Sequence, residues 1–149
     1  MAESAHAEIV IEAPVDTVFA VLVEFERYPE WVADLKQSDV VGRDDVGRAT
    51  EVEFRAAAMG RSTTYRLGYD YTDAPNRLGW FLVAGDLERE LDGHYELQAG
   101  TDGAQTTEVR YELSIDLIVP IPGFVKRRAE TRIVKAALED LKLRVESGA

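Results

Sequence analysis

The chain has no cysteine and only two histidines among its 149 residues. Without cysteine there can be no disulfide scaffold, iron–sulfur cluster, thiolate nucleophile or cysteine zinc site. Two histidines are too few for a three-histidine metal centre. No apolar run approaches the roughly 18 residues of a membrane span, so integral membrane association is not expected. Met1 to Glu8 lacks the basic-then-apolar pattern of a secretory signal, which gives the expectation of a cytoplasmic protein. Basic residues are scarce: 17 Lys and Arg against 28 Asp and Glu leave a formal net charge of -11. Such a surface repels phosphate backbones, so nucleic acid is not an expected partner. A phosphate-cradling glycine loop and a GxSxG nucleophile elbow are both absent. No repeat, low-complexity stretch or Gly/Ser/Pro-rich linker divides the chain. Its length fits one domain spanning 1–149.

What is present is periodicity. Hydrophobic residues make up 46% and charged residues 30%, a globular composition. Ile9 and Ile11 alternate with Glu8, Val10 and Glu12, which predicts a half-buried first strand over Ala7 to Glu12. Pro14 then marks a helix start, and Val15, Val18, Phe19 and Leu22 follow helical spacing. Pro29 forbids one long helix, so a second short helix or turn is expected around Tyr28 to Val32. About six strands follow, separated by turns at 43–47, 59–61, 73–76, 85–86 and 100–104. In the clearest of them Val52, Phe54, Ala56 and Ala58 oppose Glu51, Glu53 and Arg55. From about Pro122 to Val145 the period returns to helical. Val134, Leu138, Leu141 and Val145 form one stripe, which Phe124, Val125, Ile133, Ala136 and Ala137 widen. Consecutive strands joined by tight turns form an antiparallel meander whose apolar face needs a cover. The terminal helix is the long amphipathic element available to supply it.

Ile9-Val10-Ile11-Glu12-Ala13-Pro14-Val15-Asp16-Thr17-Val18-Phe19 and then Tyr28-Pro29-Glu30-Trp31 resemble the START-like (SRPBCC) superfamily. They are most similar to its bacterial polyketide cyclase/dehydrase and coenzyme Q-binding branch. Asp92 to Leu97, Thr107 to Tyr111 and the terminal helix look like the same branch. The resemblance implies an α+β helix-grip fold. In it a curved seven-stranded antiparallel sheet surrounds a long C-terminal helix, two short helices follow strand 1, and an apolar cavity lies between sheet and helix. Members of the superfamily bind lipids, sterols, quinones or polyketides, and a minority catalyse ring closure and dehydration.

Five of the six tyrosines fall in the strand region, and Tyr65, Tyr69, Tyr71, Tyr95 and Tyr111 all share parity with apolar neighbours. They either line a pocket that tolerates polar groups or sit at a core rim with their hydroxyls in water. Parity also places Arg89 with Leu87, Leu91, Tyr95 and Leu97. A guanidinium there either holds an anionic or carbonyl group of a ligand, pairs with an internal acid, or curls out past the strand end. Lys126, Arg127, Arg128, Arg132 and Lys135 cluster where the helix dipole disfavours cations. They form a steering patch, a contact with anionic lipid, or a solvated face paired with acids. Arg128 and Arg132 are the two expected to lean toward the cavity. His94 shares the polar face with Glu90, Asp92 and Glu96, so it is read as solvent-facing. Asp39 shares parity with Leu35 and Val41 but has no inward partner. In the implied fold Trp31 and Phe124 border the cavity opening, while the apolar run 77–84 hides whether Trp80 or Phe81 faces inward.

The ligand-binding candidates are therefore Trp31, Phe54, Tyr65, Tyr69, Trp80, Arg89, Tyr95, Tyr111, Phe124 and Arg128. No catalytic set, metal or cofactor is assigned. The leading expectation is a hydrophobic small-molecule ligand (lipid, quinone or polyketide-like) held without catalysis. The alternatives are a polyketide cyclase/dehydratase acting on a bound aromatic precursor and an accessory module for a protein partner. Monomer and homodimer remain equally open.

Overall fold

Strand β1 (Ala5–Ile11) leads into helix α1 (Val15–Leu22) and a 3-10 helix (Phe25–Glu30). Six strands follow: β2 (Leu35–Arg43), β3 (Ala49–Ala58), β4 (Arg61–Asp70), β5 (Arg77–Gly85), β6 (Glu88–Ala99) and β7 (Thr107–Leu117). Helix α2 (Gly123–Glu146) ends the order. The computed structural model describes residues 4–58, 61–101 and 105–148. The turn expected at Met59-Gly60 and most of that at 100–104 lie outside these residues, as does the expected inward side chain of Ala58.

The seven strands form one antiparallel sheet in the order β1-β7-β6-β5-β4-β3-β2. The chain enters at one edge, crosses to the other through the two short helices, and returns strand by strand to pair β7 with β1. The β2–β3 turn shows why the meander is locally determined. The amides of Val46 and Arg48 donate to Asp44 Oδ1 at 3.1 and 2.9 Å, and Gly47 adopts φ 87°, a conformation that favours glycine.

The grip is asymmetric. Helix α2 lays the buried stripe Val134, Leu138, Leu141 and Val145 chiefly against β1 and β7. Its C-terminal half is tied down by polar contacts as well. Lys142 Nζ donates to the Val10 carbonyl at 2.8 Å, Glu146 accepts from the Glu12 amide at 3.0 Å, and Arg144 donates to Glu30 at 2.8 Å. Strands β3 to β5 lie away from the helix, and aromatic rings line their inner face.

Three departures from strict periodicity matter for the site. A register shift between Glu88 and Glu90 interrupts the alternation of β6. Leu91, Tyr95 and Leu97 face inward as parity requires, but Arg89 does not: its side chain is 65% exposed and lies 3.8 Å from Asp116. An extra residue in a strand reverses parity on one side of the bulge, and it is Glu88 that turns inward. A shift between Leu35 and Gln37 does the same in β2, burying Ser38 and exposing Asp39. On α2 the stripe is narrower than expected, for Phe124, Ile133 and Ala136 are exposed. Glu130 occupies the stripe instead and is buried at 3% exposure.

Candidate functional site

The interior is lined by a continuous set of aromatic side chains. Trp31 meets Tyr28 edge-on at 5.1 Å, Tyr28 stacks toward Phe54 at 5.9 Å, and Phe54 meets Tyr65 at 5.6 Å. A second branch runs from Phe25 to Tyr69 at 4.4 Å, then to Trp80 at 6.2 Å. Trp80 touches Tyr95 and Tyr111 at 5.3 and 5.5 Å, and these two tyrosines meet at 4.5 Å. Tilted and edge-to-face contacts of this kind add stabilisation beyond burial alone.

Strand alternation and one glycine place these rings. Trp80 faces inward at 8% exposure, while Phe81 faces outward at 51% and lies over Gly68. The choice that the apolar run concealed is thus Trp80. Its indole occupies the room left by Gly93 on β6, where an added Cβ would sit 2.7 Å from Trp80 Cζ2.

The tyrosines divide by what their hydroxyls do. Tyr28 donates to the carbonyl of Leu22, and Tyr71 donates to that of Ala49 at 2.6 Å. Tyr71 lies just past the end of β4, with the Arg48 guanidinium 4.9 Å over its ring. Among the described residues, Tyr65, Tyr69, Tyr95 and Tyr111 have no intrachain hydrogen bond. Yet no side-chain polar atom is sealed in the protein without a partner among those residues. The four hydroxyls therefore open onto accessible space rather than onto packed apolar atoms. Burial pushes all four above the ordinary tyrosine range, so they stand as neutral donors at physiological pH.

Two carboxylates join this inner surface. The Thr63 hydroxyl lies 3.1 and 2.9 Å from the two Glu88 carboxylate oxygens, and the Leu87 amide donates to Oε1 at 3.2 Å. A Cβ built on Gly85 would lie 2.6 Å from Glu88 Oε1 and 3.4 Å from Tyr65 Cβ, so Glu88 and Tyr65 flank one point of the wall. After burial, the Glu88 charge is the second cause that raises Tyr65. Glu130 accepts from the Ile115 amide at 3.2 Å, two residues past the last described β1–β7 pair, Ala5 with Leu113. It caps the strand edge from the helix side.

Trp31, Phe54, Tyr65, Tyr69, Trp80, Tyr95 and Tyr111 are thus brought together, as alternation predicts. Arg89, Phe124 and Arg128 are not part of this surface: each is exposed. The bulge removes Arg89. Phe124 and Arg128 lie on a flank of α2 turned from the buried stripe. Alternation alone missed Glu88, because a bulge carries no simple sequence mark. Glu130 did carry a signal, since it stands four residues before Val134 on the apolar stripe. His94 is on the outer face as expected, but its ring is mostly covered, with Nε2 3.1 Å from Glu96 and 3.6 Å from Glu112. Among the described residues no group of three or more His, Asp or Glu side chains is placed to hold a metal. None of the helices among them is long and apolar enough to cross a membrane.

A further recess of about 470 Å³ lies between α1, the 3-10 helix and the β2–β3 turn. Phe19, Val23, Phe25 and Tyr71 form its apolar wall, and Arg27, Arg43 and Arg48 lie on its rim.

Comparison with known proteins places this architecture. Among solved structures, a START superfamily protein from Mycobacterium smegmatis is 20% identical over 98% of this chain and 99% of its own, with a TM-score of 0.90. A protein from Thermus thermophilus is 22% identical over 99% of each chain, with a TM-score of 0.82. The Zhui aromatase/cyclase from Streptomyces sp. R1128 is 12% identical over 98% of this chain and 94% of its own, with a TM-score of 0.75. At such identities the likeness concerns the fold. No curated protein matches the chain. Residues 2–146 match the family described as polyketide cyclase/dehydrase and lipid transport. That match, over nearly the whole chain, makes the protein a member of the polyketide cyclase/dehydrase and lipid transport family.

Proposed function

We propose that this protein binds a fused-ring or otherwise flat hydrophobic molecule with polar oxygens, held between α2 and strands β3 to β6. The observation that carries the reading is the set of four neutral, internally unpartnered hydroxyls on Tyr65, Tyr69, Tyr95 and Tyr111. Aromatic faces supply apolar contact, and the hydroxyls supply donors for carbonyl or hydroxyl oxygens. Among the described residues, Glu88 and Glu130 are the acidic side chains of this inner surface, and both already accept hydrogen bonds. A neutral or hydrogen-bond-donating guest therefore suits the interior better than an anion. The whole chain acts as one ligand-binding unit in this reading.

The test is a titration with 2-naphthol followed by tryptophan fluorescence, since Trp80 lies in the wall. Saturable one-site binding is expected. Ala56, buried on the inward face of β3, gives the control: Ala56→Phe fills that face and should block binding in a variant that circular dichroism shows to be folded. Failure to saturate, or binding untouched by Ala56→Phe, would sink the proposal.

A cyclase role is the second reading, and Glu88 beside Tyr65 is what favours it. A carboxylate can take a proton from a carbon between two carbonyls while a neighbouring phenol hydrogen-bonds the developing enolate oxygen. The wall would fold the chain so that the enolate carbon reaches its target carbonyl. Catalysed deuterium exchange into a β-diketone, lost in Glu88→Gln while 2-naphthol still binds, would establish this second role. Exchange no faster than in buffer would leave ligand binding alone.

A further inference from the structure

We propose that the first half of α2 and the loop before it form a docking surface for anionic lipid bilayers. The proposal rests on surface residues and stands whether or not the interior holds a guest.

The basic cluster has no role in the interior surface. From 117 to 135 the sequence carries five cations, Lys126, Arg127, Arg128, Arg132 and Lys135, against one acid, Glu130. That acid is buried and accepts from the Ile115 amide. Elsewhere the cations are mostly paired: Arg43 with Glu26, Arg66 with Glu51 and Glu53, Arg110 with Glu8, and Lys142 with Glu146. Among the described residues, Arg128, Arg132 and Lys135 have no such partner, in a chain with 28 acids to choose from. The helix dipole gives them no reason to be there either, and the first turn contains no acid.

Their spacing aligns them with an apolar feature. Phe124, Arg128, Arg132 and Lys135 follow i, i+4, i+8 and i+11, so they share one flank of the helix. Phe124 is 64% exposed, and Ile118 and Val119 in the preceding loop are also exposed large apolar residues. An apolar wedge bordered by cations whose long stems can lie along it suits the headgroup boundary of a bilayer. The net charge of -11 does not oppose this at contact, because charges beyond about 8 Å are largely screened at physiological salt. Docking would bring the Glu88 end of the sheet to the lipid, since the Ile118 amide donates to the Leu87 carbonyl at 2.9 Å.

Flotation of the full chain with vesicles tests this, using phosphatidylcholine alone or with about one third phosphatidylglycerol. Partition onto the anionic vesicles only, weakened by added salt, is expected. Each cation removed should lower partition about fivefold, so Arg128→Gln with Arg132→Gln should lower it about 25-fold. Phe124→Ser should lower it about tenfold or more, by loss of the inserted ring. Arg66→Gln, on the outer sheet face, should change nothing. Circular dichroism checks that each variant is folded, and the Arg pair carries the test if Phe124→Ser is not. Equal partition onto both vesicle types, no partition, or variants that bind like the parent would overturn the proposal. Capture on immobilised polyglutamate without vesicle binding would also overturn it, by assigning the patch to an acidic protein surface.

Discussion

Gly93 and Trp80 face each other across the β5–β6 pair, and the indole lies where a side chain on residue 93 would be. An added Cβ would stand 2.7 Å from Trp80 Cζ2 and 2.5 Å from the Glu112 carbonyl oxygen. The second atom belongs to the backbone and cannot swing away. Gly93→Ala should therefore destabilise the protein by about 1–3 kcal/mol, the usual cost of overpacking. Urea unfolding measures it, and a loss below about 0.5 kcal/mol would show that the ring and ladder shift freely.

The two kinds of tyrosine give opposite expectations for one deletion. Tyr28→Phe strands the Leu22 carbonyl in the core and should cost about 1–3 kcal/mol. Tyr95→Phe and Tyr111→Phe remove hydroxyls with no hydrogen-bond partner among the described residues and should stay within about 0.5 kcal/mol of the parent. The same two changes should weaken a bound phenol or quinone. Stability losses of equal size at all three positions would contradict the division.

Arg89→Met is expected to be quiet. The guanidinium is mostly solvated and 3.8 Å from an Asp116 that is itself well exposed, so the pair contributes at most about 1 kcal/mol. Affinity for 2-naphthol should not change. A tenfold loss of affinity would return Arg89 to the binding surface.

Alkaline pH should unfold the protein steeply. Tyr28, Tyr65, Tyr69, Tyr95 and Tyr111 are all held above the ordinary tyrosine range, burial being the leading cause. Tyr71 is pushed up to about 12, again mainly by burial. Below about pH 10 both folded and unfolded chains keep these protons, and stability is undiminished. Above it the unfolded chain releases protons that the fold retains, so stability falls with rising pH until the folded values are passed. The slope is up to about 1.4 kcal/mol per pH unit for each fully buried tyrosine. Tyrosinate absorbance should appear together with loss of circular dichroism. Ionisation well before unfolding would mean that the hydroxyls are open to bulk water.

Much of this arrangement was legible because alternation is a local rule. Once Val52, Phe54 and Ala56 define the inner face of β3, pairing carries the same face to Tyr65 on β4 and onward to Trp80. The rule fails at bulges. Arg89 was read inward because nothing in Leu87-Glu88-Arg89-Glu90 marks where the ladder skips a residue, and Asp39 misled in the same way. Glu88 became visible only through its tertiary partner Thr63, 25 positions away in the chain. Glu130 was legible in principle from its place on the stripe, but its amide partner Ile115 lies on another element, which helical spacing does not reveal.

The paired part of the β5–β6 border runs from Arg77 with Glu96 to Trp80 with Gly93. Past it, residues 81–85 stay with β4 while the start of β6 stays with β7, and the Leu82 amide donates to the Asp92 side chain at 3.0 Å. The sheet thus contains an expansion joint. If the interior holds a bulky guest, we expect the wall to widen there by stretching side-chain links, Leu82 to Asp92 and Thr63 to Glu88, while the ladder bonds of the other strand borders stay intact. Amide exchange in deuterated water should mark the joint, with Leu82 exchanging faster than the β5–β6-paired amides of 77–80, and faster still once a bulky guest stretches its bond to Asp92.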